Sequence, residues 1–190
     1  MIRPTINGLI LAGGRSSRMG FDKSLIKFHG KYQQDYLRDL LKLFCKAVFI
    51  SRKNPFYEND SVKPIYDQFA FEGPLNGILS AFQTDSSIPW LTVAVDMPLI
   101  DRTAIRFLLD QRDSSKVATC FFNSNEKSPE PLFTIWEPNS YPLLMRFTKE
   151  GKYSPRDFLK ENKVQMLVPP DNGFLTNINS VKELNLLLKQ

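Results

Sequence analysis

Residues 11–23, LAGGRSSRMGFDK, place Gly13, Gly14 and Gly20 around Arg18 and end in Lys23. Glycines let backbone N–H groups approach phosphate oxygens with no Cβ in the way, and the two cations offset the charge of a di- or triphosphate. The stretch Ile6 to Leu11 ahead of them is short and mostly apolar. That pattern is a buried strand, so the loop leaves the carboxyl end of a first strand, where open α/β sheets bind ligands. A polyphosphate is the expected ligand. Spacing excludes two other phosphate motifs: Gly20-Phe21-Asp22-Lys23-Ser24 is not a P-loop, and G-x-G-x-x-G is absent.

A second candidate is Asp96, which follows the apolar run Trp90 to Val95 and precedes Met97-Pro98. A carboxylate there emerges on the same rim as the glycine-rich loop, and Mg²⁺ favours one or two carboxylates together with phosphate oxygens. Position alone serves a turn cap equally well. Asp67 ends a strand-like run six residues before GPLNG, where Gly73 and Gly77 leave room for a flat ring or a ribose and Pro74 suits a first helical turn. Asn177 and Asn179 alternate in an extended pattern, so both amides project the same way, either to complete a magnesium shell or to cap a last helix from Ser180. The lone histidine, His29, sits in a small turn, which argues against Ser-His-Asp or metal-histidine hydrolysis.

The ordered pattern L-A-G-G-x-x-x-R-M-G-x-D-K, with Asp67, GPLNG (73–77), VAVDMP (93–98), Pro131-Leu132 and NINS (177–180) behind it, resembles the molybdenum cofactor guanylyltransferases of the nucleotidyltransferase superfamily. The resemblance spans nearly the whole chain. It implies a three-layer Rossmann-like α/β nucleotidyltransferase fold with a mostly parallel mixed sheet, and transfer of GMP from Mg-GTP to molybdopterin cofactor with release of pyrophosphate. It implies nucleotide contacts from Leu11, Ala12, Gly13, Gly14, Lys23, Ser51, Asp67, Gly73, Pro74, Gly77, Asp96, Asn177 and Asn179. Asp96 is then the Mg²⁺ ligand, and Arg18, Lys23 and Asp96 carry catalysis. A phosphate-monoester acceptor is already ionised near neutral pH, so the reaction needs charge neutralisation and alignment but no general base.

Two departures qualify the likeness: Ser51 stands where the family often has asparagine, and Tyr32 where it commonly has proline. Leu-Ala-Gly-Gly, against the Leu-Ala-Ala-Gly of the related cytidylyltransferases, implies guanine over cytosine through the methyl missing at Gly13. A cytidylyltransferase, another sugar- or alcohol-phosphate nucleotidyltransferase and a non-catalytic nucleotide-binding module stay open as alternatives. Arg156 and Lys152 are candidate partners for the acceptor's anionic groups. A molybdoenzyme or cofactor-insertion protein is the expected recipient of the product.

The composition, 42% hydrophobic and 24% charged over 190 residues, fits one domain, 1–190. A net charge of +5 favours small anions, and the scattered cations give no nucleic-acid stripe. No apolar run is long enough to span a bilayer, and no secretory signal is visible, so a cytoplasmic protein without membrane partners is expected. Cys45 and Cys120 lack metal-ligand spacing and are expected as reduced core residues.

Seven strands are expected to position these residues, at Ile6–Leu11, Ala47–Ser51, Lys63–Tyr66, Trp90–Val95, Val117–Phe122, Leu132–Trp136 and Val164–Val168. Helices are expected on the apolar faces Tyr36 to Phe44 and Leu75 to Phe82, from an Asp101 cap through Leu109, and from Ser180 to Leu188. A polar loop spans Asn123 to Pro129. Alternating strands and helices argue for a mostly parallel sheet covered on both faces.

Overall fold

A computed structural model describes residues 5–12, 27–28, 30–53, 62–169, 171–178 and 183. Seven strands form one sheet in the order β5-β4-β1-β6-β8-β7-β9. They are β1 (Asn7–Leu11), β4 (Val48–Arg52), β5 (Lys63–Tyr66), β6 (Trp90–Ala94), β7 (Ala118–Asn123), β8 (Ser128–Trp136) and β9 (Gln165–Leu167). A short hairpin, β2 (Lys27–Phe28) with β3 (Lys31–Tyr32), stands apart. β5, β4, β1 and β6 run parallel, β8 is antiparallel to both its neighbours, and β7 pairs β9 in parallel. The sheet is therefore mixed and mostly parallel, as the sequence implies.

Two glycines show that helices cover both faces. Gly8 leaves space filled by Leu41 and Cys45 at the end of α1 (Gln33–Leu41), whereas Leu11 and Ser51 meet Gly77 of α2 (Pro74–Thr84). Residues 8 and 11 are an odd number apart on one strand and so project to opposite faces. α4 (Ser140–Lys149) joins the α2 face through the stacked Tyr141 and Phe82, and α5 (Pro155–Glu161) packs Phe158 against Trp136. α3 (Arg102–Asp110) starts at the expected cap, with the Asp101 carboxylate accepting from Ala104 N–H at 2.8 Å.

Other boundaries move. α1 begins at Gln33, ahead of the first apolar position, because both Gln33 and Gln34 are buried. β8 reaches back to Ser128, which shortens the expected polar loop to a tight turn held by the Asn123 amide oxygen accepting from Asn125 and Glu126 N–H. Cys45 and Cys120 are free and buried, and burial pushes both thiols up to about 12. Among the described residues no helix is long and apolar enough to cross a membrane. The helix expected from Ser180 to Leu188 lies outside the described residues.

Candidate active site

A cleft of about 670 Å³ opens along the carboxyl ends of β1, β4, β5 and β6, bordered by Leu11, Ala12, Ser51, Asp67, Gly73, Pro74 and Asp96. Parallel strands deliver their ends to one rim, which is why segments so far apart in sequence meet there. Gly13, Gly14, Arg18, Lys23 and Asn179 lie outside the described residues. Leu11 and Ala12, which precede Gly13 in the sequence, are both on the cleft wall.

Asp96 sits in a turn one residue beyond Val95, which ties back to β1 through its N–H to Leu11 C=O at 3.2 Å. The turn is anchored from two distant segments. Ile178 N–H donates to Asp96 C=O at 2.8 Å, and Gln33 Nε2 donates to Met97 C=O at 3.4 Å. The first bond brings Asn177-Ile178 to the Asp96 turn. Asn177 Oδ1 there is buried and has no hydrogen-bond partner among the described residues. A carboxylate and a buried amide oxygen on two segments joined by the Ile178–Asp96 bond are oxygen donors of the kind Mg²⁺ takes with phosphate oxygens and water, so the residues present fit that ion. Among the described residues there is no group of three or more His, Cys, Asp or Glu for a metal wanting a full protein cage.

On the other side of β1, Asp67 N–H bonds Arg52 C=O at 2.9 Å and its carboxyl faces the cleft. Burial pushes that carboxyl up to about 6, against the opposing effects of the Lys53 charge and a hydrogen bond from Ser51. Ser51 is thus held at the site, with 3% of its surface exposed. Gly77 does not border the cleft. Its missing Cβ makes room for Ser51, whose Cβ would lie 2.9 Å from one built there. Gly77 therefore acts through Ser51 and not by direct approach of a ring. Gly73, at the N-cap of α2 with φ +115°, adopts a left-handed conformation that glycine favours.

Several cleft residues have no individual role assigned by the sequence, Asn76 inside GPLNG among them. Asn76 clamps the loop ahead of α2, donating from Nδ2 to Phe69 C=O at 2.7 Å and Phe71 C=O at 2.6 Å. Phe69 and Phe71 form an aromatic wall, and Phe71 stacks on Tyr153 with centroids 4.6 Å apart. Lys53 and Glu72 form an ion pair of 2.7 Å at the mouth.

Pro131-Leu132 has a structural role. The β7–β8 register jumps from Cys120↔Thr134 to Phe121↔Glu130, leaving residues 131–133 as a bulge, and a proline without an N–H suits such a position. Glu130 Oε1 accepts from Leu132 N–H at 2.9 Å, and Leu132 projects into the cleft. Burial raises the Glu130 carboxyl above the usual carboxylate range; Arg156 opposes the shift and Asp96 adds to it. Arg156 itself pairs with Glu126, and Lys152 with Glu161 at 2.8 Å. Neither borders the cleft.

The family described as "MobA-like NTP transferase domain" matches residues 8–166. The chain is similar to a "Molybdenum cofactor biosynthesis bifunctional protein" of Synechocystis sp., 34% identical over 180 residues, 93% of this chain and 52% of that one. It thus spans about half of that relative's length. It is also 29% identical over 195 residues to the "Molybdenum cofactor guanylyltransferase" of Polynucleobacter asymbioticus, with 98% of each covered. The crystal structure of "Molybdopterin-guanine dinucleotide biosynthesis protein A" from Archaeoglobus fulgidus matches with a TM-score of 0.78 over 97% of this chain and 100% of that one. At 17% identity this last likeness is one of fold.

Proposed function

The chain belongs to the MobA-like NTP transferase family, and from that premise we propose that it transfers GMP from Mg-GTP to molybdopterin cofactor, giving the guanine dinucleotide form and pyrophosphate. The observation that carries this reading is the single cleft that borders Leu11-Ala12, Asp67 and Asp96 together. A nucleoside triphosphate needs all three: a backbone loop for phosphates, a polar edge for the base and a carboxylate beside the α-phosphate.

In this scheme a terminal phosphate oxygen of the acceptor attacks the α-phosphorus of GTP in line. The bond from that phosphorus to the bridging oxygen breaks, and pyrophosphate leaves with the electron pair. Asp96, with the Asn177 amide oxygen beside it, holds Mg²⁺, which when bound supplies charge neutralisation at the phosphates. Lys23 and Arg18 balance the charge of the departing pyrophosphate, and the backbone at Gly13 and Gly14, with Asn179, completes the phosphate site. Leu11, Ala12, Ser51, Asp67, Gly73 and Pro74 surround the nucleoside. A single domain over 1–190 carries the activity, in the cytoplasm where GTP is available, and the product passes to a molybdoenzyme or its insertion protein.

Pyrophosphate release measured with GTP, CTP, ATP and UTP, with and without molybdopterin, tests the reading. The expected result is acceptor-dependent release with GTP foremost. Nucleotide binding without release from any of the four leaves a binding module and removes the transferase. A kcat/KM for CTP equal to or above that for GTP removes the guanylyl assignment.

A further inference from the structure

Lys53 is a cation on the base side of the cleft whose chemistry the scheme above leaves unused. It follows β4 as Asp67 follows β5, one residue beyond the paired Arg52 and Tyr66, so the two stand side by side at the ends of adjacent parallel strands. Neighbouring strands lie about 4.8 Å apart. The cleft therefore presents a donor-only cation next to an acceptor carboxylate, with Phe69 and Phe71 as a flat apolar wall nearby.

The Lys53 ammonium is engaged by Glu72 at 2.7 Å, with side-chain exposures of 62% and 54%. Pairs that exposed hold together weakly, so the lysine can change partner at little cost. Asp67 is different. Its carboxyl is half-buried and fixed from the Ser51 side, so it is a preformed acceptor.

Guanine carries a matching pattern along one edge: an acceptor, O6, followed by two donors, N1–H and the 2-amino group. Adenine reverses the first two, presenting a donor to the lysine and an acceptor to the aspartate. A site whose polar groups are left unpaired or opposed by the wrong base rejects it strongly. We propose that Lys53 is a specificity-determining residue that donates to guanine O6 while Asp67 accepts from N1–H and the 2-amino group. The inference rests on the reading of this cleft as a GTP site.

Two analogues separate the contacts. 6-Thio-GTP replaces O6 with a poor acceptor and keeps both donors, whereas ITP keeps O6 and lacks the 2-amino group. Calorimetric binding of GTP, 6-thio-GTP and ITP to the full chain and to Lys53→Met reads the contacts without the acceptor substrate. The parent is expected to prefer GTP over 6-thio-GTP by about tenfold, what one charge-assisted hydrogen bond is worth. In Lys53→Met that ratio should fall to near one, while the GTP-to-ITP preference, set at Asp67, persists. A GTP-to-6-thio-GTP ratio equal in parent and variant overturns the inference, as does an equal loss for all three nucleotides, which marks a general attraction to the triphosphate. If the parent fails to bind GTP at all, the inference falls together with the GTP reading. If it binds GTP with the expected ratios and releases no pyrophosphate with molybdopterin, the transferase reading alone falls.

Discussion

Replacing Gly77 with alanine asks whether α2 and β4 are fitted to each other through Ser51. The new Cβ would lie 2.9 Å from Ser51 Cβ and inside contact distance of Ser51 Oγ, with Leu11 Cδ2 at an ordinary 3.4 Å. A χ1 rotation can carry the hydroxyl away, but the Cβ is fixed to β4 and can move only with the strand. Overpacking of this kind costs about 1–3 kcal/mol. Alanine regains about 1 kcal/mol of helix propensity over glycine in the body of α2. The net expectation is a loss of up to about 2 kcal/mol, which at this chain length lowers Tm by up to about 8 °C. Thermal unfolding followed by circular dichroism measures it, in a double-mutant cycle with Ser51→Gly, which removes both contacting atoms. The coupling between the two sites should exceed about 1 kcal/mol. The variant should also bind GTP more weakly, because Ser51 is pushed away from Asp67. Gly77→Ala additive with Ser51→Gly refutes the reasoning.

Three further outcomes follow from the site. Asp67 has its carboxyl raised to about 6 by burial, so the folded state binds that proton more tightly than the unfolded chain, and stability falls as pH rises from about 4 to 6. Asp67→Asn should therefore raise Tm at pH 8 while weakening GTP binding, with the Tm gain vanishing by pH 4; a gain of equal size at both pH values contradicts the assignment. Asp96→Asn should shift the magnesium titration of pyrophosphate release to higher concentration and lower kcat with Tm retained, and a titration matching the parent's moves the metal elsewhere. Lys23→Ala should lower kcat by about 10²-fold, the usual scale for losing a charge at a reacting phosphate. Unchanged turnover makes Lys23 a solvated surface residue.

The central strands were legible because parallel strands buried on both faces read as short apolar runs, and Asp101 was legible as a cap because its side chain bonds three residues ahead. α4 and α5 were not. Pro142 sits in the first turn of α4 and breaks the apparent pattern, and α5, with 7 residues, is too short for periodicity to register. A local signal for α5 existed nonetheless: Ser154 caps it, with Pro155 at the first helical position. β8 is legible only from Leu132 because prolines at 129 and 131 are disfavoured inside a strand, whereas Pro131 enters the bulge. Lys53, Glu72 and Asn76 meet in the cleft only through the β4–β5 register and the start of α2, and no local spacing reports such a meeting.

Asp67 and Ser51 also illustrate why a binding edge is built at some expense to the fold. A carboxylate drawn out of water at the end of a parallel strand destabilises the unliganded protein unless donors surround it. Here one hydroxyl and a lysine held by Glu72 leave that compensation incomplete, and burial pushes the Asp67 carboxyl up to about 6. In the proposed GTP site the missing donors are those that a guanine edge would bring, so binding the base would relieve a deficit that folding alone leaves in place. Stability and recognition then oppose each other at one side chain, which is why the same amide substitution is expected to strengthen the fold and weaken the site.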